Sequence, residues 1–306
     1  MRKLPKFYLL LILPLSILIG ACAHSRVSAS AGTGGDSLMV YPNDLVDGAV
    51  ALVVSKVPDR KLQSCAFDDG RQFRAMLEPD GYSSVLVGLE YGKVGRRVLT
   101  CVVGENASTV ETVFLDVRSG QYPSEVLRVP PRTVSPKKRD LKRIRSELKI
   151  LDRVYASSGT QRLWTAPVQV PVDNIVTSIY GSARVYNGIK SNVHYGTDYR
   201  APTGTPIVAP LDGRVVLVKN LFFTGNTVII DHGLDFFMIY AHMSATSVVV
   251  GQLVSKGTSL GSSGATGRAS GPHLHLGVRL AGLKVDPQKV FELINARDGA
   301  RSAAAK

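Results

Sequence analysis

Short runs of apolar and β-branched residues, separated by turn residues, follow one another from Leu38 to about Val129. Runs such as "AVALVVS", "SSVLVGLEY" and "STVETVFLDV" have the length of strands, and their regular spacing predicts a small Ig-like β-sandwich over residues 38–130. This stretch contains no histidine and no cluster of acidic residues. We therefore expect it to be a binding or spacer module rather than a catalytic one.

A second β-rich region begins at about Trp164, where apolar runs again alternate with glycine and proline. Segments such as "TPIVAPLDGRVVLVKN" and "FFMIYAHM" predict strands joined by tight turns. We place this second domain at residues 161–295 and expect residues 296–306 to form a disordered tail. The fold class is therefore predicted to be mainly β.

Between the two regions, residues 131–160 have the pattern of a basic amphipathic connecting helix. Ser135 followed by Pro136 predicts an N-cap and a first helical residue. An apolar stripe recurs at helical spacing through Leu141, Ile144, Leu148, Leu151 and Tyr155. Eight basic and three acidic residues lie between positions 137 and 153, so the remaining faces are solvated or contact an anionic wall or membrane.

The amino terminus predicts export. Residues 1–21 combine basic residues, a short apolar run and small residues, as in a secretory signal peptide. The ending "IGAC" resembles a bacterial lipobox, which would make Cys22 the lipidated first residue of the mature chain; a signal without lipidation is the alternative. Residues 22–37 then form a flexible tether. Ala23 resembles the sorting pattern for the outer membrane, so we expect a chain anchored at the periplasmic face of that membrane.

Charge and cysteine content narrow the partners and the compartment. The formal net charge of +13 favours anionic partners such as cell-wall polymers or lipid headgroups. Because the sequence has no glycine-rich phosphate loop and no aromatic-basic repeat, nucleic acid is not expected. The two other cysteines, Cys65 and Cys101, would form a disulfide in an oxidising compartment.

Candidate chemistry is concentrated in the second β-rich region, which holds five of the six histidines. The alternation in "GPHLHLGVRL" predicts a strand with His273 and His275 on one face. His194 and Asp198 lie in a glycine-rich loop that leads into a strand, and His242 ends an apolar strand. Imidazole and carboxylate suit Zn²⁺, and these five side chains exceed the three that a catalytic zinc site requires. The surplus imidazoles would move protons and stabilise charge.

The ordered combination of H-x-x-x-D, an aromatic-Ala-His triplet and "GATGRASGPHLHLGV" resembles the lysostaphin/LytM-type zinc metallopeptidases, from about Trp164 to Phe291. The resemblance implies a compact antiparallel β fold with one zinc ion on the floor of a groove. It places the zinc ligands at His194, Asp198 and His275, and the catalytic histidines at His242 and His273. His232 lies outside the motif and is expected to be structural.

These expectations combine into an exported, lipid-anchored zinc endopeptidase that cleaves peptide stems or cross-links of peptidoglycan during cell-wall remodelling. The alternative is a non-catalytic or autoinhibited wall-binding lipoprotein that regulates another cell-wall hydrolase. A regulatory protein partner, the exact bond cleaved and the separate roles of His242 and His273 stay open.

Overall fold

The computed structural model describes residues 37–58, 60–78, 81–104, 109–165 and 167–304. The expected signal peptide, the lipidation site at Cys22 and nearly all of the expected tether lie outside these residues. Among the described helices, none is both long enough and apolar enough to cross a membrane.

The first eight strands form a single hydrogen-bonded sheet in the order β1-β3-β6-β5-β4-β7-β8-β2. Their bounds are β1 Leu38–Tyr41, β2 Leu45–Val46, β3 Val50–Ser55, β4 Leu62–Phe67, β5 Gln72–Leu77, β6 Ser83–Gly88, β7 Gly95–Val103 and β8 Thr109–Arg118. The mainly β prediction is confirmed. The strands follow one another in one continuous order, and the Ig-like form of the sandwich is not confirmed.

Strands β3 and β6 are buried on both faces because this sheet packs against the C-terminal part of the chain. A Cβ added at Gly88 on β6 would lie 3.1 Å from the Val285 side chain. Glu78 also forms an ion pair of 2.9 Å with Arg162. Side chains from both halves therefore share one hydrophobic core.

A disulfide links the neighbouring strands β4 and β7. Cys65 and Cys101 are direct partners in the antiparallel register, and their sulfur atoms are bonded. The bond lies in the interior, since both residues are fully buried. It closes a sequence separation of 36 residues within the first sheet.

The connecting segment differs from the predicted single helix. It is preceded by the strand β9 (Ser124–Leu127), and it contains the short helix α1 (Pro131–Val134) and the helix α2 (Lys138–Tyr155). Ser135 closes α1, because its N–H donates to the carbonyl of Pro131, so the predicted N-cap at Ser135 with Pro136 inside the helix is wrong. The N-cap is Lys137, whose N–H donates to the Asp140 carboxylate.

The face of α2 that packs on the protein is also rotated from the predicted stripe. Leu141 and Leu148 are 39% and 54% exposed. The packed face instead includes Glu147, whose carboxylate accepts the backbone N–H of Phe222 at 2.8 Å. The apolar contacts of this face come from four side chains near the end of the helix: Ile150, Leu151, Val154 and Tyr155.

The remaining strands form one sheet of eight, in the order β10-β13-β21-β17-β16-β15-β19 with β22 paired to β21, and two sheets of three, β12-β11-β9 and β14-β20-β18. The bounds are β10 Val176–Ser178, β11 Ala183–Tyr186, β12 Lys190–Val193, β13 Thr197–Arg200, β14 Pro206–Val208, β15 Gly213–Leu221, β16 Gly225–Asp231, β17 Phe236–Met243, β18 Ala245–Thr246, β19 Leu253–Val254, β20 Ser259–Ser262, β21 His273–Leu280, β22 Leu283–Val285 and α3 Pro287–Ala304.

The large sheet is antiparallel throughout, as the sequence predicts. Residues 296–306 were expected to be disordered, but α3 continues to Ala304, so most of this stretch is helical. The parallel pairing of β9 with β11 joins the end of the first β-rich region to a sheet of the second.

Candidate metal centre

Two adjacent strands carry three of the five expected site residues. Asp198 on β13 is the direct register partner of His275 on β21, so both side chains leave the same face of the sheet. His273 lies on that face as well, because residues two apart on a strand point in the same direction. The intervening Leu274 faces the core and is fully buried.

His194 reaches the same face from the turn after β12. Its backbone N–H donates to Ser182, and its carbonyl accepts the N–H of Gly181, which fixes the turn. The Nδ1 atom of its ring lies 2.9 Å from the carbonyl of Ile179 and donates to it, so Nε2 is the atom free to bind a ligand. The close approach of this loop to β21 requires Gly196, where a Cβ would lie 2.5 Å from the His275 ring.

Three donor atoms converge into a nearly equilateral triangle. His194 Nε2 lies 3.1 Å from Asp198 Oδ1 and 3.0 Å from His275 Nδ1, and the third edge is 2.9 Å. Ligands bound tetrahedrally to zinc at about 2.0–2.1 Å are separated by roughly 3.3 Å. The donor set and its spacing therefore fit one zinc ion with an open fourth position. Within the described ranges, no other group of His, Cys, Asp or Glu side chains converges in this way.

His242 joins the site through a break in strand β17. The neighbouring Ala241 is the register partner of His275, so regular alternation would turn His242 toward the opposite, buried face. The backbone of His242 instead has φ of +61°, and the pairing of β16 with β17 shifts at this point. Such a bulge re-aims a side chain. The His242 ring consequently lies 4.9 Å from the His273 ring and 5.8 Å from the His275 ring, between centroids.

The two histidines outside the triangle are held in the same tautomer. His242 Nδ1 lies 2.7 Å from the carbonyl of Thr266, and His273 Nδ1 lies 2.8 Å from the carbonyl of Gly271. A carbonyl only accepts, so each Nδ1 carries a hydrogen, and each Nε2 is left to accept a proton and to donate only once it has been protonated.

Residues 192–287 match peptidase family M23. The chain carries an M23 peptidase domain. The resemblance predicted from the motifs is thereby confirmed, and the group formed by His194, Asp198 and His275 is consistent with the single zinc ion that the resemblance implies.

Individual relatives extend this comparison. Residues of the chain are 37% identical, over 141 residues, to the peptidoglycan DD-endopeptidase ShyA of Vibrio cholerae, a match that covers 45% of the chain and 33% of ShyA. They are 42% identical over 98 residues to the DD-carboxypeptidase/endopeptidase Mpg of Neisseria meningitidis, covering 32% of the chain and 23% of Mpg. The chain thus spans about a third or less of the length of these relatives.

A crystal structure of an M23 peptidase from Pseudomonas aeruginosa is similar over a much larger part of the molecule. It has 29% sequence identity and a TM-score of 0.63, and the match covers 81% of this chain and 95% of that one. The similarity therefore extends well beyond the M23 domain.

The pKa values of Asp198 and His275 favour binding of a cation by the triangle of donor atoms. Burial alone would raise the pKa of Asp198, but the neighbouring rings of His194 and His275 hold that pKa well below its usual range. Burial lowers the pKa of His275 to about 4. An ionised Asp198 beside a neutral His275 is the protonation state that these two metal ligands require.

A polar network behind the triangle was not predicted from the sequence. Arg184 on β11 forms an ion pair with the second oxygen of Asp198, Oδ2. Its Nε donates to Glu125 on β9 at 3.0 Å, and Glu125 also accepts the Ser178 hydroxyl hydrogen at 2.6 Å. Ser178 in turn lies 3.2 Å from His194 Nδ1. Glu125, at the end of the first β-rich region and outside residues 192–287, therefore contributes a carboxylate to the surroundings of two expected ligands.

His232 lies apart from these groups. It is fully buried, and its Nδ1 donates to the carbonyl of Asp212 at 2.8 Å. Burial lowers its pKa to about 4, so the ring is neutral. These contacts agree with a structural role.

Proposed function

We propose that this chain is a zinc-dependent endopeptidase that hydrolyses peptide stems or cross-links of peptidoglycan. The observation that carries the proposal is the triangle of His194, Asp198 and His275 donor atoms, with edges of about 3 Å, beside two further histidines. The proposal assigns the metal to this triangle and the proton transfers to His242 and His273.

When bound, zinc supplies a Lewis acid for the scissile carbonyl and makes water a stronger acid near neutral pH. The proton transfers are assigned to His242 and His273. Burial, followed by the charges of neighbouring histidines, lowers the pKa of His242 to about 3, so its Nε2 is an unprotonated acceptor in the resting site. His242 and His273 present Nε2 from fixed rings, since their Nδ1 atoms are bound to backbone carbonyls. One ring takes a proton from water at Nε2 and passes that proton to the leaving amine, while the other ring, in its protonated form, donates a hydrogen bond to the oxyanion.

The names of the relatives support peptidoglycan as the substrate. ShyA is a peptidoglycan DD-endopeptidase, and Mpg is a DD-carboxypeptidase/endopeptidase. By similarity, the bond we propose is the cross-link between D-Ala and diaminopimelate. The regulatory alternative is not favoured, because a chain that had lost catalysis would not need to keep all five positions filled.

We further propose that the protein is exported and anchored by a lipid at Cys22, on the periplasmic face of the outer membrane. The support is the signal-like start and the lipobox-like "IGAC". Metabolic labelling with a fatty acid tests this: label should enter the wild type and be absent from Cys22→Ala.

The test of the enzymatic proposal uses a purified cross-linked muropeptide dimer. The zinc-loaded chain should convert dimer to monomers, a chelator should stop the conversion, and added zinc should restore it. Persistence of activity after zinc is shown to be removed would contradict the proposal. So would failure of a folded, zinc-loaded chain to cleave either the dimer or an uncross-linked stem peptide.

A further inference from the structure

The face of β21 that carries His275 continues beyond the metal centre to a pair of cations. His275, Gly277 and Arg279 alternate along this face, and Arg279 is the direct register partner of Lys284 on β22. Gly277 has no side chain, so the floor between His275 and Arg279 stays low. All four residues line one cavity of about 240 Å³, together with His194 and His242.

The cavity holds four basic side chains and no acidic one. They are Arg184, Arg268, Arg279 and Lys284. Arg184 is neutralised by Glu125 and Asp198. None of the described carboxylates forms an ion pair with Arg268, Arg279 or Lys284.

Aromatic faces hold these cations in place. The Arg279 guanidinium lies 4.2 Å from the centre of the Tyr155 ring, and the Lys284 ammonium lies 4.2 Å from that of Tyr195. The backbone of Lys284 is fixed as well, because its carbonyl accepts the Tyr180 hydroxyl hydrogen at 2.8 Å. The cations are therefore positioned before any ligand arrives.

The adjacent positive charges of Arg279 and Lys284 destabilise the folded protein unless an anion binds between them. Like charges on directly opposed residues of two strands destabilise a sheet. The Nε atom of Arg279 is buried without a hydrogen-bond partner among the described residues. A buried donor without a partner costs about 1–3 kcal/mol. A carboxylate would accept hydrogen bonds from both side chains and neutralise their repulsion.

The separation along β21 shows how far the Arg279–Lys284 pair lies from a peptide bond held at the metal centre. Four residues of strand separate His275 from Arg279, or about 13 Å along β21. Because both cationic side chains are long, the anion they bind would lie about two to four residues from a bond held at the metal centre. A peptide lying along the floor would reach both places at once.

We propose that Arg279 and Lys284 bind a free carboxylate of the substrate peptide, so that the site prefers acidic peptides to neutral ones. The inference rests on the proposed function, since it takes the ligand to be the peptide that is cleaved. Arg268, on the same cavity lining, adds positive charge but is not needed for the contact.

The test is a binding measurement on the zinc-loaded full chain, with no turnover required. The probes are a synthetic cross-linked stem peptide with free carboxylates and the same peptide with its carboxylates amidated. Wild type should bind the acidic form at least about tenfold more tightly, as expected for hydrogen bonds between charged groups. The preference should fall to within about twofold in Arg279→Gln/Lys284→Gln and should weaken with added salt.

The matched control is Arg214→Gln/Lys219→Gln, which removes one Arg and one Lys from exposed positions outside the cavity. It should keep the full preference. Lys284→Gln alone, at an exposed position, provides a milder variant if the double variant unfolds. Equal binding of both peptides by wild type, or a preference that survives in Arg279→Gln/Lys284→Gln, would overturn the proposal. Preferential binding without cleavage of either peptide would support the carboxylate site while contradicting the proposed activity.

Discussion

Glu125 offers a prediction that connects the N-terminal half to metal binding. Its two carboxylate oxygens accept from Ser178 and from Arg184, whose Nη2 holds Oδ2 of Asp198. The variant Glu125→Gln keeps the shape of the side chain but replaces one of its two acceptor oxygens with an NH₂ donor. That NH₂ group would face either the Ser178 hydroxyl or the Arg184 Nε–H, both of which donate to Glu125 in the wild type. Arg184 then loses the contact that orients it toward Asp198.

The expected loss of zinc affinity depends on how many contacts separate the substituted residue from the proposed metal ligand Asp198. Loss of a partner that directly orients a metal ligand typically costs 10–100-fold in metal affinity. Arg184 is that direct partner, and Glu125 acts one step further away. We therefore expect zinc affinity to fall about tenfold in Glu125→Gln, or about 1.4 kcal/mol, and more than that in Arg184→Gln.

The assay is competition for zinc between the protein and a chromogenic chelator. The control is Glu292→Gln, which removes the same charge from an exposed ion pair with Lys289. A positioning role requires that zinc affinity falls while the melting temperature of the zinc-free protein stays close to that of the control. Zinc affinity unchanged in Glu125→Gln, or a loss matched by equal destabilisation of the zinc-free protein, would refute this reasoning.

Three further predictions concern single sites. Gly196→Ala should weaken zinc binding at least about tenfold, because its Cβ would lie 2.5 Å from the ring of a proposed ligand; Gly159→Ala, with open space around it, should not change chelator competition. His232 is neutral when folded, with its pKa lowered from 6.5 to about 4, so its contribution is complete above pH 6.5 and is lost as the pH falls toward 4. As the pH falls, the free energy of unfolding measured in urea should therefore decrease in both proteins, but the decrease should be smaller in His232→Asn than in wild type by on the order of 3 kcal/mol. The same dependence of the free energy of unfolding on pH in both proteins would contradict this. Removing the disulfide with Cys65→Ala/Cys101→Ala should lower the free energy of unfolding by about 4 kcal/mol for a 36-residue separation, and an unchanged urea midpoint would exclude that estimate.

Much of the fold could be predicted because its signals are local. Alternation of apolar and polar residues identified the strand that contains His273 and His275, since period two is a property of every half-buried strand. Glycine and proline also disfavour a helix between His194 and Asp198, and the structure has none there, although Asp198 lies on strand β13 and not in the predicted loop. The antiparallel pairing of the second half is confirmed.

Other features depend on contacts between distant residues and leave little trace in the sequence. Regular alternation would have turned His242 into the core, and only its positive φ brings it to the site. Glu125 has no local motif, and its role arises from the parallel pairing of β9 with β11. The orientation of α2 was mispredicted because the buried Glu147, bound to the backbone of Phe222, lies on the packed face.

The central claim is that His194, Asp198 and His275 hold the metal with which this chain cuts peptidoglycan. Its most direct test is a mass spectrum of purified sacculi digested with the zinc-loaded chain, beside His275→Ala folded to the same extent. We expect new monomers or shortened stems, cut at one type of peptide bond, that are absent from the variant digest. The same products from His275→Ala, or none from a wild-type protein that contains one zinc ion per chain, would contradict it.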